Sequence, residues 1–97
     1  MSALSIRGGI PRFYGGVATT TLGEIPFTDG ITNHLLFRNL GAVAIELAFN
    51  KHDAEAGNFW TVANATSIEI PAEVGGLWLK SASSTSAWEA LALIRRG

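Results

Sequence analysis

The residues best suited to proton transfer or metal binding in this chain are its two histidines, His34 and His52. A zinc site needs three or four ligands converging on one point. His34 lies in an alternating, strand-like segment and brings no second ligand at a metal-binding spacing, so it reads as a polar strand residue. His52-Asp53 pairs a base with an acid, but neighbours on an extended chain point to opposite sides. General base catalysis also needs a pocket and an oriented proton path. Residues 50–58 hold Asp53, Glu55, Gly57 and Asn58, a composition close to that of a calcium loop. The D-x-[DN]-x-[DN]-G spacing and the distal glutamate are missing. The segment reads as a solvent-exposed hairpin connection.

Nucleophilic and phosphate chemistry lack their motifs as well. Serine, histidine and aspartate occur, but no G-x-S-x-G elbow does. Gly8-Gly9 and Gly15-Gly16 lack the following Lys-Ser/Thr of a phosphate loop. There is no cysteine, which excludes disulfides, thiolate catalysis and Cys-based zinc sites. Asn64-Ala65-Thr66 fits a glycosylation sequon. Residues 1–7 show no basic start followed by an apolar core, so no secretory leader is expected and the sequon reads as chance. The expectation is a protein that is no enzyme, with no catalytic residue, no metal and no cofactor.

Aromatic residues offer a different chemistry. Trp60, Trp78 and Trp88, with Phe13 and Tyr14, have the ring area for a carbohydrate or ligand platform. In small β-rich domains such residues more often fill a core or a subunit interface. The candidate interface residues are Ile10, Arg12, Phe13, Tyr14, Trp78 and Trp88.

Composition favours an interface. Hydrophobic residues make up 47% of the 97 residues and charged ones only 15%, against about 25% charged in a typical soluble domain. A single domain this short buries roughly 60–65% of its unfolded surface, so apolar surface should be left for another chain to cover. Net charge is −1 and the basic residues are scattered, the Arg95-Arg96 pair included. No clustered basic face suggests nucleic acid. The longest apolar runs, residues 41–45 and 90–94, fall far short of the roughly 20 residues of a membrane-spanning helix.

The elements that would position these residues are strands. Val43, Ile45, Leu47 and Phe49 alternate with Ala44, Glu46 and Ala48, and Leu35, Phe37 and Asn39 alternate with His34, Leu36 and Arg38. Asn39-Leu40-Gly41 between them has turn residues, so residues 32–50 read as a hairpin. Further strands are expected at residues 4–7, 17–22, 24–27, 58–62, 67–70 and 77–82. Residues 87–96 are in conflict. Ser86-Ala87-Trp88-Glu89 has capping-box spacing before a run of helix formers, yet Trp88, Ala90, Ala92 and Ile94 alternate with Glu89, Leu91 and Leu93. A strand that closes the sheet is the favoured reading. Residues 5–16, with two Gly-Gly pairs and Pro11, read either as an arm that orders on a neighbouring chain or as a loop folded back over its own sandwich. The fold class is therefore all-β: one small β-sandwich or jelly-roll-like barrel of seven to eight short antiparallel strands spanning residues 1–97, with a Gly-rich N-terminal arm over residues 1–16.

The order Arg38-Asn39-Leu40-Gly41, Gly57, Ile68-Glu69-Ile70-Pro71 and residues 76–83, followed by a closing strand, resembles small virion proteins of tailed bacteriophages that decorate or join capsids. The resemblance covers residues 32–96 and implies a decoration (cement) protein on the capsid exterior. It implies a homo-oligomer, trimer favoured, bound to the major capsid protein, with no nucleic acid and no membrane as partners. A head–tail or tail component is the alternative within the virion. A carbohydrate- or peptide-binding sandwich is the alternative outside it.

Overall fold

The computed structural model describes residues 10–27 and 31–94. Eight strands follow one another: β1 (Ile10–Ala18), β2 (Gly23–Pro26), β3 (Thr32–Asn39), β4 (Ile45–Ala48), β5 (Trp60–Val62), β6 (Ser67–Ile70), β7 (Gly76–Ser81) and β8 (Ser86–Ile94). One short helix, α1 (Lys51–Ala56), lies between β4 and β5. The strands form two antiparallel four-stranded sheets, ordered β1-β8-β3-β6 and β2-β7-β4-β5. Every connection except β4–β5 carries the chain from one sheet to the other. That is a jelly roll, and the all-β sandwich expected from the sequence is the observed fold.

The core lies between the sheets, and the period-2 pattern decides what enters it. Leu35 and Phe37 of β3 face Ile45 and Leu47 of β4 across the sandwich, all with no exposed surface. From β8 come Trp88, Ala90, Ala92 and Ile94, and from β7 Leu77 and Leu79. The Phe37 and Trp88 rings stack at 5.6 Å with 17° between their planes. Each large apolar side chain buried this way contributes about 1.5–3 kcal/mol.

The expected hairpin at Asn39-Leu40-Gly41 does not form. β3 pairs with β6 and β8, and β4 with β5 and β7. The two strands are opposite walls of the sandwich, because both carry one apolar face and face-to-face packing buries the two together. The corner between them is set by Asn39, which is 1% exposed. Its Nδ2 donates to the carbonyls of Val43 (2.8 Å), Val62 (3.0 Å) and Ala63 (3.2 Å). Its Oδ1 accepts from the Gly41 N–H (3.0 Å) and the Ser86 hydroxyl (2.7 Å). One carboxamide thus ties β3, the following loop, the end of β5 and the start of β8.

Three further expectations change. Residues 10–16, read as part of an arm, belong to β1, which pairs with β8 from Ile10↔Ile94 to Ala18↔Ser86. Backbone pairing with a central strand outweighs the flexibility of Gly15-Gly16. Residues 1–9, with the rest of that arm and the strand expected at 4–7, lie outside the described residues. The strand expected at 17–22 stops at Ala18. The polar connection 50–58 contains α1, capped by Asn50, whose Oδ1 accepts from the Asp53 N–H at 2.7 Å while its Nδ2 donates to Asp53 Oδ2 at 2.8 Å. Gly57, at φ 79°, ends the helix in the left-handed region. Residues 86–94 form a strand, as favoured, because β8 is paired on both sides and tertiary pairing overrides local helix propensity.

Asn39→Ala should lower unfolding stability by about 3–5 kcal/mol, since several buried partners lose their bonds together. Gly41→Ala should also be destabilising, because a Cβ there would lie 2.7 Å from the Ser86 Cα. Urea denaturation followed by tryptophan fluorescence measures both.

Candidate interaction surface

The outer face of the β1-β8-β3-β6 sheet follows from the same alternation. With Trp88, Ala90, Ala92 and Ile94 turned inward, Glu89, Leu91 and Leu93 turn outward. Register then places Phe13, Leu91, Leu36 and Glu69 in one row across four strands. Gly15, Glu89, Arg38 and Ser67 form the next row. Phe13 is 78% exposed, and Leu36 is exposed as well. A shallow depression of about 150 Å³ lies among Phe13, Leu36, Leu91, Arg38 and Glu89.

Two ion pairs border this apolar row. Arg38 pairs with Glu89, and His34 Nε2 lies 2.5 Å from Glu69 Oε2. All four side chains are well exposed to solvent, so each pair is worth about 0–1 kcal/mol at most. They leave mixed, locally balanced charge beside the apolar row.

A second feature opens at the other side of the sandwich, where β5 and β6 are the edges of their sheets. A cleft of about 580 Å³ lies among Phe49, Trp60, Ile68, Glu69, Ile70 and Pro71. The Trp60 ring is 67% exposed. Phe49 and Trp60 also line an adjoining hollow of about 330 Å³ with Asp53, Asn58 and Phe59. Lys80 Nζ sits 5.3 Å from the centre of the Phe59 ring and 3.5 Å from Glu46 Oε1.

The six residues named from sequence are dispersed. The backbone of Ile10 pairs with Ile94, and Arg12 is exposed opposite Ala92. Phe13 lies open on the outer face. Tyr14 turns inward against Phe27, with ring centres 4.8 Å apart. Trp78 is half-buried on β7 opposite Ala48, on the side where α1 packs against β4 and β7. Trp88 requires a correction: at 3% exposure it is a core residue stacked on Phe37 and has no surface to offer a partner. Leu36, Leu91 and Trp60 were not among the six. For Leu36 the signal was present, as a leucine on the polar side of an alternating strand.

The Asp53 carboxylate is engaged with Asn50 in the helix cap instead of facing His52. Among the described residues no three His, Asp or Glu side chains come together as a metal site.

No family model matches this chain, and no curated protein does. Among solved structures it is similar to an HTH_3 family transcriptional regulator from Vibrio cholerae, at a TM-score of 0.61 and 7% identity. The match covers 95% of this chain and 46% of that one, so this chain spans about half the length of the regulator. At that identity the likeness is one of fold alone. It corrects the resemblance to bacteriophage virion proteins, since the structural likeness lies with a transcriptional regulator. The order of turns and strands behind that resemblance is shared by any jelly roll with similar corners. The capsid partner, the trimer and the virion location lose that support.

Phe13→Ser should change stability by no more than about 0.5 kcal/mol, as an exposed substitution does. Trp88→Ala should cost about 3–5 kcal/mol through the cavity it leaves. Thermal unfolding of the two variants beside the wild type separates them.

Proposed function

We propose that this chain is a non-catalytic assembly domain that associates with copies of itself. The observation that carries the reading is the outer row Phe13-Leu91-Leu36, in which Phe13 and Leu36 are exposed and Leu91 is half-buried, on a sheet whose inner face supplies much of the core. A domain that has completed its core gains nothing in folding from a phenylalanine 78% exposed. Such residues in a contiguous row mark surfaces that bury against protein. A second copy suits this face electrostatically, because the charges of Arg38 and Glu89 are paired with each other. The weak overall charge of −1 adds little repulsion.

Sedimentation velocity over a range of protein concentrations tests the reading. The expected result is a mass that rises with concentration. Phe13→Asp together with Leu91→Asp should shift the association midpoint at least tenfold upward, about 1.4 kcal/mol, with folding retained. A monomer at all concentrations sinks the proposal.

A second reading is favoured by the Trp60 cleft. Its volume falls within the roughly 300–1,000 Å³ of small-ligand sites. An exposed indole beside a cleft lined by Phe49, Ile68 and Ile70 offers the stacking surface of a carbohydrate or peptide site. The regulator it resembles carries this fold within a longer chain, as a binding module would be carried. Titration with a glycan or peptide panel should quench tryptophan fluorescence in the wild type and fail to do so in Trp60→Ala. An equal response from both proteins would dismiss this site.

A further inference from the structure

We propose that two copies of this chain join edge to edge through β1, antiparallel about a twofold axis, to form one continuous eight-stranded sheet. The proposal rests on the self-association reading above and gives a geometry to the Phe13 end of its row, with Leu91 and Leu36 on the outer face of the joined sheet.

The four edges of the sandwich are unequal. β2 has four residues and ends at Pro26, β5 has three, and β6 has four with Glu69 among them and Pro71 next in the chain. Short length, proline and charge are the usual means of keeping an edge from pairing. β1 has nine residues, Ile10–Ala18, and one charged side chain, Arg12. Among the described residues no strand pairs with its outer side.

Pro11 fixes which amides point outward. Proline has no N–H to give, so within a strand it occupies a position whose amide faces away from the ladder. Residues alternate, so Phe13, Gly15 and Val17 also turn their N–H and C=O groups away from β8. Gly15 agrees. A Cβ built there would come within 3.9 Å of the Glu89 Cβ, the close approach of a pair that exchanges no hydrogen bonds.

The outward groups are self-complementary. An antiparallel twofold pairing that sets Gly15 against the partner's Gly15 also sets Phe13 against the partner's Val17. Each opposed pair then exchanges two hydrogen bonds, and no donor or acceptor of these three residues is left over. Phe13 and Val17 are 78% and 61% exposed. Across the seam they form two aromatic–β-branched pairs, of the kind that stabilises sheets. The two glycines at the centre let the backbones approach without obstruction. Antiparallel strand addition demands a twofold axis, so the unit is a dimer and not a trimer.

Amide hydrogen exchange of the wild-type protein, read residue by residue above and below the association midpoint, tests this. Phe13, Gly15 and Val17 should gain at least about tenfold protection on association. Tyr14 and Gly16, which face β8, should be protected at both concentrations. Val17→Pro removes an amide that the monomer does not use, so it should abolish the dimer while keeping the near-ultraviolet circular dichroism of the fold. An oligomer in which the three amides stay unprotected overturns the edge pairing and leaves self-association standing. A wild-type monomer at every concentration overturns both. The exchange measurement needs no variant, so it decides the question even where Val17→Pro fails to fold.

Discussion

The buried carboxamide of Asn39 is the interaction on which the two sheets depend. A jelly roll sends its chain back and forth between sheets, and each crossing exposes backbone groups that no ladder satisfies. Those groups include the carbonyl of Val43 and the N–H of Gly41 at the β3–β4 crossing and the carbonyls of Val62 and Ala63 at the end of β5, all bonded by Asn39. Ser86 joins through its hydroxyl, which donates to Asn39 Oδ1 and lies 3.0 Å from the Val43 carbonyl. The backbone N–H groups of Asn39 and Leu40 bond the carbonyls of Thr66 and Ala87. A buried amide is costly when unsatisfied and firm when every partner is in place, so it specifies one corner geometry. At the other end of β3, Thr32 does the same on a smaller scale, bonding Ala72 and Val74.

With that corner fixed, the rest of the architecture follows from packing. β3 and β4 present their apolar faces to each other, and β8 is captured between β1 and β3. The alternation of β8 then assigns Trp88 to the core and Leu91 to the outer face. The surface that remains is divided. One side offers an apolar row bordered by exposed ion pairs, and the other an open cleft with Trp60 at its mouth. Both suit binding, and a long unblunted edge beside the apolar row favours binding to another copy.

Parts of this surface were legible in the sequence. Phe13 was selected as an interface residue because an apolar residue beside glycines and proline had no strand pattern to bury it. The alternation of residues 34–39 showed which side chains share a face with Leu36. From the sequence Trp88 reads as an interface candidate, one of three tryptophans with ring area to offer. It is buried because β8 lies at the centre of its sheet, and a central position is a property of pairing partners, not of local sequence. The helix at residues 51–56 carried its signals in Asn50, Asp53 and Gly57. Four polar residues and two alanines make no apolar periodicity, and without it a helix this short is hard to tell from a loop.

The sequence by itself determined the strand class, most strand positions and the shared apolar faces of β3 and β4, because period-2 alternation is a local record of burial. It also recorded the poverty of charge and the lack of assembled catalytic motifs. Only the tertiary structure decided which strands are neighbours. Asn39-Leu40-Gly41 has the residues of a hairpin turn, and what makes it a crossing between sheets is a set of hydrogen bonds to residues 23 to 47 positions away. Long-range partners of that kind leave no mark on local spacing. For the same reason the outer row Phe13-Leu91-Leu36, drawn from three strands far apart in the chain, exists only once the sheet has assembled.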